Sequence, residues 1–578
     1  MNPEPTPPAG NSASRVLPAR HQNEAALGVG AMMLAAAPFL LPVITLFVRQ
    51  PSFILDGDQA VDEMAEMRAE HFAQLVGNYS RSPGVSVAQA WSHPGPAWFY
   101  AMDPVYAISG STSWGFAAAA ILLQGVAAVL LVAVAWRRGG LWLAGVVSAL
   151  VLLYVHVVGT PIFLAIWPPY ATILPLALLL LLAAAGAAGS TPALVGALVA
   201  GSYLIQVHIA TLATVVATLI VATVLRGLPW VLRRLRATAA APVPEGDPGV
   251  GTITPLTRGG WALCAAGLFA VVAMWVPPFV DQVTSHPGNL TKLVTYFSTT
   301  RSGNPLHAAL SSLARELEVF PLGHLPPPTA SVGDLAPLSP LRAAVLILFV
   351  LVALGLALLG ARLTDRFATG VGVLLVFAVP VITESLTRAD GPLYPYFMDW
   401  ASTLPLVLAV GWVELAVTSL RRLPGLTEWA SGHRAPPALA VVVALATLGL
   451  CVADSISAES NLRSAAEIHY DASTPAAWRL TEAALAAYPP QRLDIDIVQN
   501  DQWTLSAGVM DQLVKRGWSV AVPSSWLFMF GNGAAETGME KLELIVSDPT
   551  APPPGAVGAH LIVEVPGTDI YLANLIPG

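Results

Sequence analysis

The chain has 578 residues, of which 55% are hydrophobic and 11% charged, with a mean hydropathy of +0.64 and a net charge of −8. This composition excludes a soluble globular protein and predicts a chain that crosses a membrane many times. Basic residues occur in short clusters between apolar runs, so no nucleic-acid partner is expected. Both cysteines, Cys264 and Cys451, lie inside apolar runs, which argues against a disulfide framework or a zinc site.

Residues 1–25 are polar and rich in Pro, Ala and Ser, which predicts a disordered N-terminal segment. The apolar run that follows is too long for a signal-peptide core, so we interpret it as the first transmembrane helix. In total, eleven transmembrane helices are predicted, at 26–48, 115–136, 141–158, 170–188, 192–208, 210–225, 261–279, 341–361, 367–386, 404–420 and 437–453. The fifth and sixth could instead form one long broken helix.

Arginine clusters follow the second, sixth, eighth and tenth predicted helices. The positive-inside rule places these four loops in the cytoplasm. The N-terminus is then cytoplasmic, and the C-terminus lies outside a plasma membrane that the chain crosses repeatedly. The outer side carries two long loops, 49–114 and 280–340, and it is where function is expected.

Residues 454–578 differ in composition from the apolar core formed by 26–453. Their patterns predict helices at 478–488 and 504–515, and strands at 493–498, 518–522, 542–546 and 560–565. The predicted fold is therefore an α-helical polytopic membrane protein with about eleven transmembrane helices and a small extracytoplasmic α/β domain.

The first outer loop opens with an acidic segment at 56–63, where a carboxylate cluster beside the membrane indicates chemistry at its surface. Asp56 and Asp58 flank a glycine at the predicted start of a helix. One of them could cap that helix, while a catalytic base or a metal ligand is an equal alternative. Asp58, Asp62, Glu66 and Glu70 recur every four residues, so they form one stripe on that helix. We expect Glu66 and Glu70 to lie on a face in water.

Further polar residues are predicted to gather on the outer side. They are Tyr79, Arg81, His93, Gln206, His208, Asn289, Arg301 and Tyr396. The His-Pro-Gly-Pro segment at 93–96 restricts the backbone and holds His93 in a defined place. Each residue also has a structural alternative: a satisfied interfacial histidine, a contact between helices, a turn, or an interfacial aromatic anchor.

The order of these segments resembles the GT-C superfamily of polytopic membrane glycosyltransferases. The shared segments are Gly-Asp-Gln-Ala at 57–60, Tyr-Ser-Arg at 79–81, His-Pro-Gly-Pro at 93–96, Gln-x-His at 206–208 and Pro-Gly-Asn-Leu at 287–290. Within that superfamily, the chain resembles the actinobacterial branch near the mannosyl- and arabinofuranosyltransferases of the cell envelope. The resemblance covers about 26–453 and leaves the C-terminal domain without a match.

The resemblance implies a polyprenyl-phosphate sugar as donor and a catalytic aspartate in the first outer loop. By position, Asp58 is the first candidate and Asp56 the second. The superfamily often has an Asp-Glu pair in this loop, whereas this chain has Asp58-Gln59. Asp62 and Glu63, one helical turn later, could be that pair, so they are kept as alternative candidates for the catalytic acid. The acceptor would be an envelope glycan or glycolipid.

The expected chemistry follows from these residue types. A positioned carboxylate takes the proton of the attacking acceptor hydroxyl, and one base suffices for inversion. His93, Arg81 and Arg301 would hold the donor phosphate. Asn289 and Tyr396 would orient the sugar, with Tyr79, Gln206 and His208 nearby. A divalent cation (Mg, Mn or Ca) on Asp56 or Asp58 is left open.

Two other classes of function remain open. A transporter or flippase for lipid-linked sugars would explain the many helices, but it predicts internal repeats and ionisable groups inside several helices. A non-catalytic envelope assembly protein would use its outer α/β domain for binding. No convincing repeat is visible in the sequence, which favours the transferase.

Overall fold

The computed structural model describes residues 19–80, 90–239, 257–299, 303–323, 325, 338–389, 392–420, 437–466, 471–550 and 558–575. Helices dominate this part of the chain. They are α1 (Ala19–Arg49), α2 (Gly57–Ala69), α3 (Ala97–Ile108), α4 (Ser113–Val158), α5 (Thr160–Leu164), α6 (Ile173–Ala187), α7 (Thr191–Val207), α8 (Leu212–Ala239), α9 (Arg258–Thr284), α10 (Asn289–Thr299), α11 (Leu306–Leu322), α12 (Pro340–Arg362), α13 (Arg366–Thr387), α14 (Leu404–Leu420), α15 (Pro437–Ala466), α16 (Thr474–Leu485), α17 (Trp503–Lys515) and α18 (Leu527–Phe530).

Nine helices in the described part of the chain are long and apolar enough to cross a membrane. One of them, α4, has 46 residues and contains two predicted spans, because Gly140 breaks it with a φ of 67°. The shorter apolar helix α7 matches the predicted span at 192–208. His208 is extended and separates α7 from α8, so the fifth and sixth spans are two helices. The predicted fold class, a polytopic helical protein with a small α/β region, is confirmed.

Two segment boundaries differ from the sequence-based expectation. The first helix begins at Ala19, so residues 19–25, which were expected to be disordered, are helical. The rest of the predicted disordered segment lies outside the described residues. The last membrane helix continues to Ala466, so the domain boundary predicted at 454 falls inside α15.

The membrane-spanning helices are strongly apolar, and they differ in what covers their surfaces. Helix α6 lies in the centre and is almost wholly buried by its neighbours. Helix α9 exposes most of its surface, including Trp261 at 64% and Phe269 at 74%. Exposed apolar area of this extent is typical of a surface that faces lipid.

The C-terminal region forms a five-stranded sheet, in the order β2-β1-β3-β5-β4. The strands are β1 (Arg492–Ile497), β2 (Ser519–Ala521), β3 (Leu542–Ser547), β4 (His560–Val565) and β5 (Thr568–Asn574). Strand β1 is parallel to β2 and β3, whereas β5 is antiparallel to β3 and β4. The first four strands match predicted ones, and β5 was missed.

Candidate functional site

The acidic segment of the first outer loop forms the start of α2. Gly57 has a φ of 52°, a conformation that glycine adopts at little cost, and it turns the chain into the helix. Asp56 takes the N-cap position, but its side chain does not cap the helix. Its Oδ2 instead accepts hydrogen bonds from the Asp471 N–H at 3.0 Å and the Thr474 hydroxyl at 3.1 Å. Asp56 is fully buried and joins the first outer loop to the C-terminal domain.

Asp58 lies in the first turn of α2 and is half-buried. The Tyr79 hydroxyl donates a hydrogen bond to its Oδ1. Two residues predicted from separate motifs therefore meet. The N-terminal end of a helix favours a carboxylate in this position. Asp58 thus combines a fixed orientation with partial exposure, which a general base requires.

The carboxylate of Glu63, one of the two alternative candidates for the catalytic acid, is bound by other side chains. Lys515 Nζ of the C-terminal domain lies 2.6 Å from its Oε2, the Ser113 hydroxyl donates at 2.9 Å, and the Tyr106 hydroxyl donates to Oε1 at 3.2 Å. Lys515 also contacts Asp511 at 2.8 Å. Burial alone would lower the pKa of Lys515, but Asp511 and Glu63 outweigh it and raise that pKa above its ordinary value. Glu63 is part of a buried ionic junction.

The expectation that Glu66 lies in water is wrong. Glu66 and Asp62 are both 0% exposed, because the outer loops and the C-terminal domain enclose α2. Burial, followed by the charge of Asp103, raises the pKa of Glu66 to about 10. Burial and then Asp58 raise the pKa of Asp62 well above its usual range. Glu70 is half-buried and accepts a hydrogen bond from the Ser111 hydroxyl at 2.5 Å.

The loop that contains His93 is hydrogen-bonded to the second long outer loop. Asn289 Oδ1 accepts from the Ser92 N–H at 2.8 Å, and its Nδ2 donates to the Ser92 carbonyl at 2.9 Å. His93 Nδ1 accepts from the Ile209 N–H at 3.2 Å. Burial and then His208 lower the pKa of His93 well below its usual value. His93 is therefore neutral near pH 7, and its remaining ring N–H is a donor without a full charge.

Gln206 and His208 lie beside this loop. Gln206 is fully buried, and its Nε2 donates to the Met274 carbonyl at 2.9 Å, which joins α7 to α9. The rings of His208 and His93 are 4.8 Å apart. These contacts show that both residues at least connect elements of the fold.

Tyr396 lies in a short 3₁₀ turn after α13. Its ring packs 4.8 Å from that of Trp167 and stacks on Tyr394 at 5.4 Å. Phe397, the next residue, lies 6.4 Å from the His208 ring, so the turn borders the histidine pair. Arg81 and Arg301, the predicted phosphate ligands, lie outside the described residues.

A cleft of about 1750 Å³ separates the first outer loop from the C-terminal domain. Its lining includes Arg68, Tyr79, Asn289, Lys292, Lys515 and Trp518. Tyr79 links the cleft to Asp58 through its hydroxyl. The sequence reasoning did not identify Arg68, Lys292 or Lys515 as site residues. The chain has only three lysines, and two of them line this cleft. The rarity of lysine in the sequence could therefore have pointed to Lys292 and Lys515 as candidate site residues.

Metal ligation by Asp56 or Asp58 stays a prediction. Among the residues that the structure describes, no group of three or more His, Cys, Asp or Glu side chains is arranged to hold a metal ion. Asp56 gives one oxygen to hydrogen-bond donors of the C-terminal domain.

Comparison with known proteins gives only distant matches. No protein-family model matches the chain, and no curated protein matches it. Among solved structures it is similar to ArnT from Cupriavidus metallidurans bound to undecaprenyl phosphate, with 13% identity and a TM-score of 0.46, over 96% of this chain and 98% of that one. It is also similar to the archaeal oligosaccharyltransferase AglB from Archaeoglobus fulgidus in complex with an inhibitory peptide and a dolichol-phosphate, with 14% identity and a TM-score of 0.31, over 92% of this chain and 70% of that one.

Proposed function

We propose that this protein is a membrane glycosyltransferase. It moves a sugar, arabinofuranose or mannose, from a polyprenyl-phosphate donor to an extracytoplasmic envelope glycan or glycolipid, with Asp58 as general base. The observation that carries the proposal is the separation of roles among the acids of α2. Asp56 and Glu63 are held by the C-terminal domain, Asp62 and Glu66 are fully buried, and Asp58 is half-exposed and oriented by a tyrosine hydroxyl.

The chemistry requires a proton acceptor and a site for the leaving group. As the acceptor hydroxyl attacks the anomeric carbon, Asp58 takes its proton, and the bond to the donor phosphate breaks. One base and direct displacement give inversion. Tyr79 orients the carboxylate by donating a hydrogen bond to Oδ1.

The growing charge on the lipid phosphate needs cations. Arg68 and Lys292 line the same cleft as Tyr79. Arg81 and Arg301 are proposed to add to this positive charge. His93 is neutral and would contribute an N–H donor. A divalent cation, the other use proposed for Asp56 or Asp58, would supply further charge stabilisation at the phosphate.

The test is sugar transfer by the full-length protein in lipid nanodiscs. Radiolabelled polyprenyl-phosphate mannose and arabinofuranose are supplied separately with envelope glycolipid extract. We expect transfer from one donor, and a loss of about 10²- to 10⁴-fold in Asp58→Asn. Asp501→Asn, at an exposed position in the C-terminal domain, is the matched control. Translocation of intact donor without bond cleavage would instead identify a flippase.

A further inference from the structure

Helix α18 of the C-terminal domain, a single turn, borders the cleft and contacts the first outer loop there. The ring of Phe528 on this turn lies 5.9 Å from the ring of Tyr79, at an interplanar angle of 76°. Such an edge-to-face arrangement is one of those that aromatic pairs prefer. The hydroxyl of the same tyrosine donates a hydrogen bond to Asp58. A continuous line of contacts therefore runs from the C-terminal domain to the proposed base.

Phe528 is held in place within its own domain. Its ring stacks on that of Trp526 at 6.3 Å and an interplanar angle of 20°, and Trp526 is buried. The turn ends at Gly531, which has a φ of 86° and whose N–H donates to the Leu527 carbonyl at 2.9 Å. A side chain that is fixed by packing can in turn fix the orientation of a second side chain.

The C-terminal domain is also fixed relative to the start of α2. Helix α17 packs so closely there that a Cβ added at Gly508 would lie 2.8 Å from the Leu55 carbonyl oxygen and 3.2 Å from the Asp56 Cβ. Thr474 of the same domain donates to the Asp56 carboxylate. These contacts immediately precede the helix that carries Asp58. The base and the turn that carries the phenylalanine ring are therefore attached to one close contact between the domains.

The backbone of Tyr79 is anchored independently of the C-terminal domain. It forms an antiparallel bridge with Ser92, and its N–H donates to Asn78 Oδ1 at 2.8 Å. An anchored backbone sets where the side chain begins, but not the two torsions that orient its ring. Contact with the ring of Phe528 restricts these torsions. The direction in which the tyrosine hydroxyl points at Asp58 therefore depends on a residue of the C-terminal domain.

We infer that Phe528 is a positioning residue for the proposed base and acts through Tyr79. This inference rests on the proposed function. It gives the C-terminal domain a part in catalysis, because the domain sets the orientation of the tyrosine hydroxyl and, through it, of the Asp58 carboxylate. A displacement of a reacting group by about 1 Å can lower a rate by about 10²-fold, so a contact remote from the reacting atoms can affect the rate.

The test is a double-mutant cycle on full-length protein in lipid nanodiscs. The single-turnover rate of sugar transfer and the affinity for the sugar donor are measured for the wild type, Phe528→Leu, Tyr79→Phe and the double variant. Phe528→Leu keeps an apolar side chain but removes the ring, so the rate should fall about tenfold while donor affinity does not change. In the Tyr79→Phe background, which has no hydroxyl to orient, the same change should lower the rate by less than about twofold.

Two control variants separate positioning from general packing. Phe528→Tyr keeps the ring and should retain a rate within about threefold of the wild type. Phe530→Leu makes the leucine change two residues along the same turn, at another residue that lines the cleft. The described ring contacts join Tyr79 to Phe528 and not to Phe530, so this variant should keep the wild-type rate. If Phe528→Leu does not fold, Phe528→Met takes its place in the cycle.

The possible outcomes distinguish this inference from the proposed function. Equal rate losses from Phe528→Leu in both backgrounds would show that the ring does not act through Tyr79, and would overturn the inference alone. A wild-type rate in Phe528→Leu, or a loss explained wholly by weaker donor binding, would do the same. No sugar transfer by the wild type would overturn the proposed function, and this role for Phe528 with it.

Discussion

Apart from Asp58, the acids of α2 and its N-cap form two sets that differ in the hydrogen-bond partners that the rest of the fold gives them. Asp56 and Glu63 meet donors from the C-terminal domain. Asp62 and Glu66 are equally buried, and the described residues offer them no hydrogen bond. The first set stabilises the contact between two parts of the molecule, whereas the burial of the second set lowers the stability of the fold. Similar carboxylates on one helix therefore take opposite roles because of their neighbours.

The largest expected effect is the pH dependence contributed by Glu66. Its folded pKa of about 10 lies above the ordinary value of 4.5, so the folded protein holds this proton more tightly than the unfolded chain. The resulting stability is fully present below about pH 4.5 and is lost as the pH rises toward about 10. Thermal unfolding of the wild type should show this decline, and Glu66→Gln, which cannot ionise, should show a shallower one. Identical slopes in both proteins would contradict the burial of an acid here.

The next largest effect is a loss of stability when Glu63 loses its ion pair with Lys515. Lys515→Met leaves the carboxylates of Glu63 and Asp511 buried without their cation, which costs about 3–5 kcal/mol. Chemical denaturation should show this loss, and limited proteolysis should show earlier release of the C-terminal domain. Lys541→Met, at an exposed lysine, is the control. A stability equal to that of the control would show that the junction does not hold the domain.

A smaller effect is expected at Asp56. Asp56→Asn weakens the hydrogen bonds from the Asp471 N–H and the Thr474 hydroxyl, at a cost of about 1–3 kcal/mol. Thr474→Val removes one of the two donors. A double-mutant cycle should give a coupling of about 0.5–3 kcal/mol between the two positions. Strict additivity would mean that Asp56 does not bind Thr474 in the working protein.

The sequence predicts the membrane helices well because each depends on a local property, a run of apolar residues. Helix α17 and strands β1 to β4 follow from local periodicity in the same way. Strand β5 was missed because Pro566 and Gly567 leave only a two-residue turn after β4, and the segment beyond them was not recognised as a separate strand.

The environment of the site was harder to predict. Helical spacing places Asp62 and Glu66 on one face of α2, but it does not reveal what covers that face. Lys515, the partner of Glu63, is 452 residues away in the chain, so no local pattern connects them. Asp58 and Tyr79, only 21 residues apart, were both identified as candidates, although their contact was not.

The central claim is that Asp58 and not another acid of α2 is the base. Its most direct test is the single-turnover rate of sugar transfer in protein saturated with the sugar donor, for the wild type, Asp58→Asn and Asp62→Asn. We predict that Asp58→Asn binds donor normally and loses about 10²- to 10⁴-fold in rate, while Asp62→Asn retains a rate within about tenfold of the wild type. Wild-type rates in Asp58→Asn, or the larger loss in Asp62→Asn, would contradict the account.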